Sequence, residues 1–324
     1  MRPTSQAQVE ATAAREAAPL EQLREGVWAI AQPFPSSLEV YTLNYIVEDD
    51  RGDLHLIDPG ADLGENLAAL AAQLHAIGHR IEDVATITLT HLHHDHLGLA
   101  GRIRAMSGAS IALHREEQAA LDDDLTPFWV DRDRLLAWGA SADAIIELTA
   151  MGGHLELRPR LTADALLEHD ERLPIPGRDL RVIHTPGHTV GHICIASDEL
   201  IFTGDHVLPN QFPGIGLGGD RGSNPLEDMI ASLELVAALD ALEVCPGHGW
   251  RFRGLEARCE QTIAHHRRRT AEVATVLDAD PAATVWQIAE RLTWSAGWDQ
   301  LAGFRLGSAL AQTAMHRDFV LDGR

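Results

Sequence analysis

The 324-residue chain has no lysine: all 26 of its positively charged side chains are arginine. Any role ordinarily filled by a lysine is therefore vacant, and with so alanine-rich a chain the bias reads as genome composition rather than as a functional choice. Positive charge is scarce altogether, with 48 acidic residues and a net charge of −22, which makes the chain a poor electrostatic match for nucleic acid. Cysteine is limited to Cys194, Cys245 and Cys259, an odd number without paired spacing. That excludes a disulfide framework and fits a reducing compartment. No run of about 18 apolar residues is present to span a membrane. The first 25 residues, rich in Ala, Glu and Gln, lack the apolar core of a signal peptide. These absences predict a cytoplasmic protein with a flexible N-terminal arm over residues 1–25.

What is abundant is histidine, and it is concentrated. Thr90-His91-Leu92-His93-His94-Asp95-His96-Leu97-Gly98 packs four imidazoles and a carboxylate into six residues. The stretch follows the strand-like Val84 to Leu89 and precedes the helix-like Leu99 to Met106, so it is expected to be a strand-to-helix turn. Such a turn presents His91 and His93 to one ion, while Asp95 and His96 leave it toward a second. Imidazole nitrogen and carboxylate oxygen at about 2.0–2.2 Å suit zinc, and a set without sulfur also accepts iron or manganese.

Three later blocks place one more candidate each where a strand meets a loop. Thr185-Pro186-Gly187-His188-Thr189 presents His188 on a Pro-Gly turn. Ile201-Phe202-Thr203-Gly204-Asp205 is an apolar strand ending in a carboxylate. Val244-Cys245-Pro246-Gly247-His248-Gly249 repeats the Pro-Gly device for His248. Each is weak alone, and together with the first motif they form a ligand set.

In the order of these residues, from about Gly26 to Gly249, the chain resembles the metallo-β-lactamase superfamily. The resemblance implies that His91, His93 and His188 hold one divalent metal ion, that Asp95, His96 and His248 hold a second, and that Asp205 bridges the two. It implies zinc, with iron or manganese as alternatives. Asp58, in Leu56-Ile57-Asp58-Pro59-Gly60, matches the carboxylate that orients a ligand imidazole. Asp205, Asp95 and Asp58 are thus the carboxylates on which catalysis is expected to rest.

The expected fold is α/β, a four-layer αββα sandwich over residues 26–253 with all ligands at one edge. Strands are expected at Val27 to Gln32, Val40 to Val47 and Asp53 to Ile57, with a helix from Asp62, as its N-cap, to Ile77. Asp164 to Leu173, Leu180 to Ile183, His192 to Ala196 and Leu200 to Thr203 are expected to form the second sheet. Residues 115–160 read as a helical insertion whose Phe128, Trp129 and Trp138 either line a substrate pocket or pin the insertion down. The glycine-rich stretch 213–222 reads as a rim of the site. Residues 254–324 are expected to form a small helical domain resembling the winged-helix-like tail of one hydrolase branch that includes an RNA-cleaving enzyme. Its His265, His266 and Arg267-Arg268-Arg269 read as a solvated basic face.

The function implied is hydrolysis of a thioester, ester or lactone by a hydroxide shared between two metals. The partner expected is a small-molecule substrate rather than nucleic acid or a membrane, and a homodimer is compatible with the sequence. The alternatives are an RNA phosphodiesterase, whose mark would be arginines clustered at the metals, and an iron-dependent redox enzyme. Diiron relatives of the latter kind typically carry glutamate where this chain has His93.

Overall fold

A computed structural model of the protein describes residues 1–34, 40–123, 130–152, 161–218, 222–240 and 242–323. The chain begins with β1 (Arg2–Pro3) and α1 (Gln6–Ala14), then enters the strands β2 (Glu21–Arg24), β3 (Val27–Pro33), β4 (Tyr41–Glu48) and β5 (Leu54–Ile57). β4 shows why a sandwich forms. Its alternate residues Tyr41, Leu43, Tyr45 and Val47 enter one apolar core, while Ile46 on the opposite face enters another. A strand buried on both faces needs a layer on each.

After α2 (Asn66–Ala76) come β6 (Val84–Thr88), the single turn α3 (His94–Leu97), α4 (Ala100–Ser107), β7 (Ser110–His114) and α5 (Arg115–Asp122). Next are α6 (Arg132–Ala137), α7 (Ala142–Gly152) and β8 (Ala165–Leu167). The second sheet is built from β9 (Arg181–His184), β10 (Ile193–Ala196), β11 (Leu200–Gly204), β12 (Glu243–Pro246) and β13 (Phe252–Arg253), with α8 (Pro225–Ala237) inserted. The chain closes with α9 (Leu255–Ala279), α10 (Val285–Arg291) and α11 (Gly303–Leu321).

Among the described residues the strand orders are β2-β3-β4-β5-β6-β7-β8 and β1-β13-β12-β11-β10-β9. Val27, Ala29 and Tyr45 of the first sheet meet Val182, Ile195 and Phe202 of the second in the central core. α2 and α4 cover the outer face of the first sheet through Leu70, Leu74 and Ile103. α8, α9 and α11 cover the outer face of the second through Met229, Cys259 and Leu310. This is the four-layer αββα arrangement expected from the sequence.

Topology also explains why the candidate ligands share one edge. β5 and β6 run parallel, as do β11 and β12, and β9 is antiparallel to β10, which is antiparallel to β11. The segments after β5, β6, β9, β11 and β12 therefore leave by C-terminal strand ends. Those segments carry Asp58, His91 to His96, His188, Asp205 and His248.

Several expectations are corrected. The residue 1–25 arm is built in: β1 pairs with β13 at the sheet edge, and Gln8 of α1 is fully buried, its Oε1 accepting the Arg251 N–H at 2.9 Å. β8 joins the first sheet beside β7, not the second. Asp62 does not cap α2, which starts only after Gly64 in a left-handed turn (φ 47°); Asp62 instead pairs with Arg102. The expected helical C-terminal part is present, with a small apolar cluster of its own at Val273, Leu277, Ile288 and Leu292, but it also shares the core of α8 and the second sheet, and after Arg253 the described residues contain no strand to serve as a wing. The basic face of α9 is only partly solvated, since His266 is buried and Arg269 lies over the Trp294 ring at 4.3 Å.

Candidate metal centre

Two groups of side chains that could hold a metal ion meet at this edge: His91, His93, His188 and Asp205, and, beside them, Asp95, His96 and His248. All seven are buried except His93, which is partly so. His91 Nε2 and His188 Nε2 lie 3.0 and 3.1 Å from His93 Nδ1. His248 Nε2 is 3.3 Å from Asp95 Oδ2. Asp205 reaches both groups, with Oδ1 at 3.4 Å from both His96 Nε2 and His248 Nε2 and Oδ2 at 3.7 Å from His188 Nε2.

The far side of each ring fixes which nitrogen faces inward. A carbonyl only accepts, so His188 Nδ1 donates to Gly214 O at 2.7 Å, His93 Nε2 to Leu217 O at 3.3 Å and His248 Nδ1 to Tyr41 O at 3.0 Å. Thr90 Oγ1 gives its proton to Asp58 Oδ2 at 2.7 Å, so it accepts from His91 Nδ1 at 3.0 Å. Asp58 Oδ2 also accepts from His96 Nδ1 at 2.9 Å. Asp58 therefore holds two rings from behind, directly and through Thr90. It acts as a positioning residue and does not face the ligand atoms.

This arrangement decides whether a cation fits. Three imidazoles with committed outer nitrogens aim lone pairs at one another from about 3 Å, a repulsive contact unless a cation sits between them. Burial, with the neighbouring rings, pushes His91 well below its ordinary pKa and His93 down to about 3, so protons are not the cations there. At His96, burial also lowers the pKa, but the carboxylates of Asp205 and Asp95 overcome it and raise it to about 10. His96 Nε2 and Asp205 Oδ1 are buried without a hydrogen-bond partner. The donor set therefore fits a divalent metal ion.

The sequence did not single out the residues that hold this set in place. His192 is fully buried, donates from Nδ1 to Thr185 Oγ1 at 2.9 Å and accepts the Asp205 N–H on Nε2 at 3.2 Å. Glu117, also fully buried, accepts the Leu92 N–H and the Gly191 N–H, both at 2.7 Å, and so ties the loop after β6 to the loop before β10. In Glu117→Gln the amide NH₂ would face one of those donors. We expect a stability loss of about 1–3 kcal/mol by urea unfolding, together with weaker metal retention on dialysis. An unchanged unfolding midpoint would mean that the carboxylate does not join the loops. Gly247 is required by close approach, because a Cβ there would lie 2.6 Å from Asp205 Oδ1 and 2.7 Å from His96 Cε1.

A sequence model described as the metallo-beta-lactamase superfamily matches residues 39–248, which hold every one of the candidate ligands. The chain belongs to the metallo-β-lactamase superfamily. It is 28% identical to a probable metallo-hydrolase, YqjP, of Bacillus subtilis (strain 168), over 83% of this chain and 85% of that one. A metallo-beta-lactamase family protein from Thermus thermophilus superimposes with a TM-score of 0.74 at 26% identity, covering 93% of this chain and 95% of that one. A shorter match, 30% identical over 36% of this chain and 39% of the other, is to the atrochrysone carboxyl ACP thioesterase of Aspergillus fumigatus. Like the superfamily it belongs to, the protein is a metal-binding hydrolase.

Above the candidate ligands the chain forms a cover. A cavity of about 330 Å³ opens onto His188 and Asp205. Its walls come from Leu208, Phe212 and Leu217 in the loop after β11 and from Trp294, Leu301 and Phe304 around the start of α11. No described residue of the 115–160 insertion lines it. Trp138 instead borders a separate cavity of about 580 Å³ and packs in the outer core of the second sheet. Phe128 and Trp129 lie outside the described residues. The two tyrosines turn away from the site, with Tyr41 and Tyr45 donating to Gly249 O and Pro246 O, each at 2.7 Å. No described helix is long and apolar enough to cross a membrane.

Proposed function

We propose that the protein hydrolyses an acyl thioester or ester, with His91, His93 and His188 holding one divalent ion, Asp95, His96 and His248 a second, and Asp205 touching both. The observation that carries this reading is the Asp205 carboxylate, whose two oxygens face the two ligand groups at the floor of a largely apolar cavity. The ions supply Lewis acidity toward a carbonyl oxygen and lower the pKa of a water. The chain's own residues do the rest. Asp205, anchored by its N–H on His192, is placed to take the proton from a water that adds to the acyl carbon. When the carbon–sulfur or carbon–oxygen bond breaks, the proton passes to the leaving thiolate or alkoxide, giving an acid and a thiol or alcohol. Leu208, Leu217 and Phe304 surround the acyl group and exclude competing water.

The thioesterase name of the fungal relative supports the thioester over the lactone. RNA is disfavoured because the described lining carries one arginine, Arg305, where a polyanion would need several. The test is a panel of an acyl thioester, an acyl ester, a lactone and a short RNA, assayed beside elemental analysis of protein purified without chelator. The expected result is thioester turnover with close to two metal ions per chain. RNA cleavage without thioester turnover would replace the reading, and full activity at one ion per chain would remove the second ion from it.

A further inference from the structure

The cavity over the metal centre has two kinds of wall. Trp294, Leu301 and Phe304 are apolar, and the described lining contains one carboxylate, Asp205, and one guanidinium, Arg305. Asp205 belongs to the metal centre. Arg305 sits on the first turn of α11, half-buried, and makes no hydrogen bond or ion pair with any described residue. That sets it apart. Arg251 is paired with Glu21 and Glu243, Arg258 donates to the Leu208 and Gln211 carbonyls, and Arg269 pairs with Glu272. Among the described arginines that are buried or half-buried, Arg305 alone lacks a partner. With 48 acidic residues in the chain, a carboxylate to neutralise it is not in short supply. A guanidinium presents a planar fork of donors suited to a carboxylate or phosphate, and partial desolvation strengthens that pairing.

We propose that Arg305 receives an anionic group of the substrate, so that the substrate carries a carboxylate or phosphate apart from its scissile carbonyl, with an apolar or aromatic body along Trp294 and Phe304. The inference rests on the acyl-hydrolase reading and narrows it: the metal centre takes the carbonyl and Arg305 selects the acid. The anion belongs either to the acyl half or to the leaving thiol half, and the chemistry at Arg305 is the same for both.

Three probes separate these sources in the metal-loaded enzyme. They are the phenylacetyl thioester of N-acetylcysteamine, neutral throughout; the 4-carboxyphenylacetyl thioester of the same thiol, acidic on the acyl side; and phenylacetyl-coenzyme A, whose phosphates are on the thiol side. In the wild type, kcat/KM for one acidic probe should exceed that for the neutral probe. Arg305→Gln should collapse that ratio about 10- to 100-fold, chiefly through KM, the scale of one charge-assisted pair. Arg305→Lys should restore part of it. A ratio unchanged in Arg305→Gln overturns the proposal.

Binding is read separately, so that failure of the hydrolase reading is not mistaken for failure of this one. Calorimetry with 4-carboxyphenylacetate and with coenzyme A should show one of them binding the wild type at least tenfold more tightly than Arg305→Gln, with metal content and circular dichroism matched. Equal dissociation constants, or no binding of either to the wild type, reject the anion site whatever the turnover. Loss of turnover on all three probes with the binding difference intact would instead remove the thioester reading.

Discussion

Asp205→Asn should lower kcat by roughly 10²–10⁴-fold, the range associated with loss of a general acid–base group. The substitution keeps size and shape but puts an amide where Oδ1 and Oδ2 face the two ligand groups. One end of that amide carries two N–H donors directed at ring nitrogens whose lone pairs already point inward. The variant thus loses a negative charge, a proton acceptor and part of its hold on cations together. Asp58→Asn is the matched control, with a smaller expected loss of about 10–100-fold, because Asp58 acts on His96 and Thr90 from behind. Asp58 has a left-handed backbone (φ 55°), which asparagine also tolerates, so that comparison isolates the side chain. Both variants should be assayed at saturating metal, with elemental analysis and circular dichroism. Near wild-type rates in both would place the reaction centre elsewhere.

Stripping the metal should abolish turnover and lower Tm by several degrees. A divalent ion at about a thousand times its dissociation constant stabilises the folded chain by roughly 4 kcal/mol. Here the stripped state has a further cost, since the lone pairs of His91, His93 and His188 converge within about 3 Å and these rings sit below their ordinary pKa. The measurement is calorimetric melting before and after dialysis against a chelator, then after readdition of zinc, manganese or ferrous iron. Recovery of both Tm and rate with one of these identifies a working metal. A chelated protein that holds no metal yet keeps its Tm and its rate would show that the cluster is not a metal site.

The parts of this molecule that are legible in the sequence are those where chemistry or hydrophobic pattern leaves a local signature. His91, His93, Asp95 and His96 stand within six residues, and His188, Asp205 and His248 each follow an apolar strand. The strands β3 to β7 and the long helices α8, α9 and α11 can be read from spacing alone. What escapes is held by polar or long-range contacts. The N-terminal segment docks through backbone pairing and through Gln8, with no apolar periodicity to announce it. Glu117 looks like any helical surface acid until the fold brings Leu92 and Gly191 to it. The cavity wall at Trp294 and Phe304 comes from more than forty residues beyond the last ligand, His248, so neither their role nor that of Arg305 is visible without the path of α9 to α11. β8 lies in the other sheet from the one expected because a three-residue strand does not carry its partner in its own pattern.

The three thiols are all fully buried, and burial pushes Cys194 and Cys259 up to about 12 and raises Cys245 as well. Disulfide exchange and alkylation both need an accessible thiolate, and none is offered at neutral pH. Small-molecule disulfides and alkylating agents should therefore leave the folded protein unmodified. The same burial is expected to keep the folded protein silent toward thiol-detecting dyes, so a continuous colour assay on the thioester probes would read any released thiol without background from the enzyme.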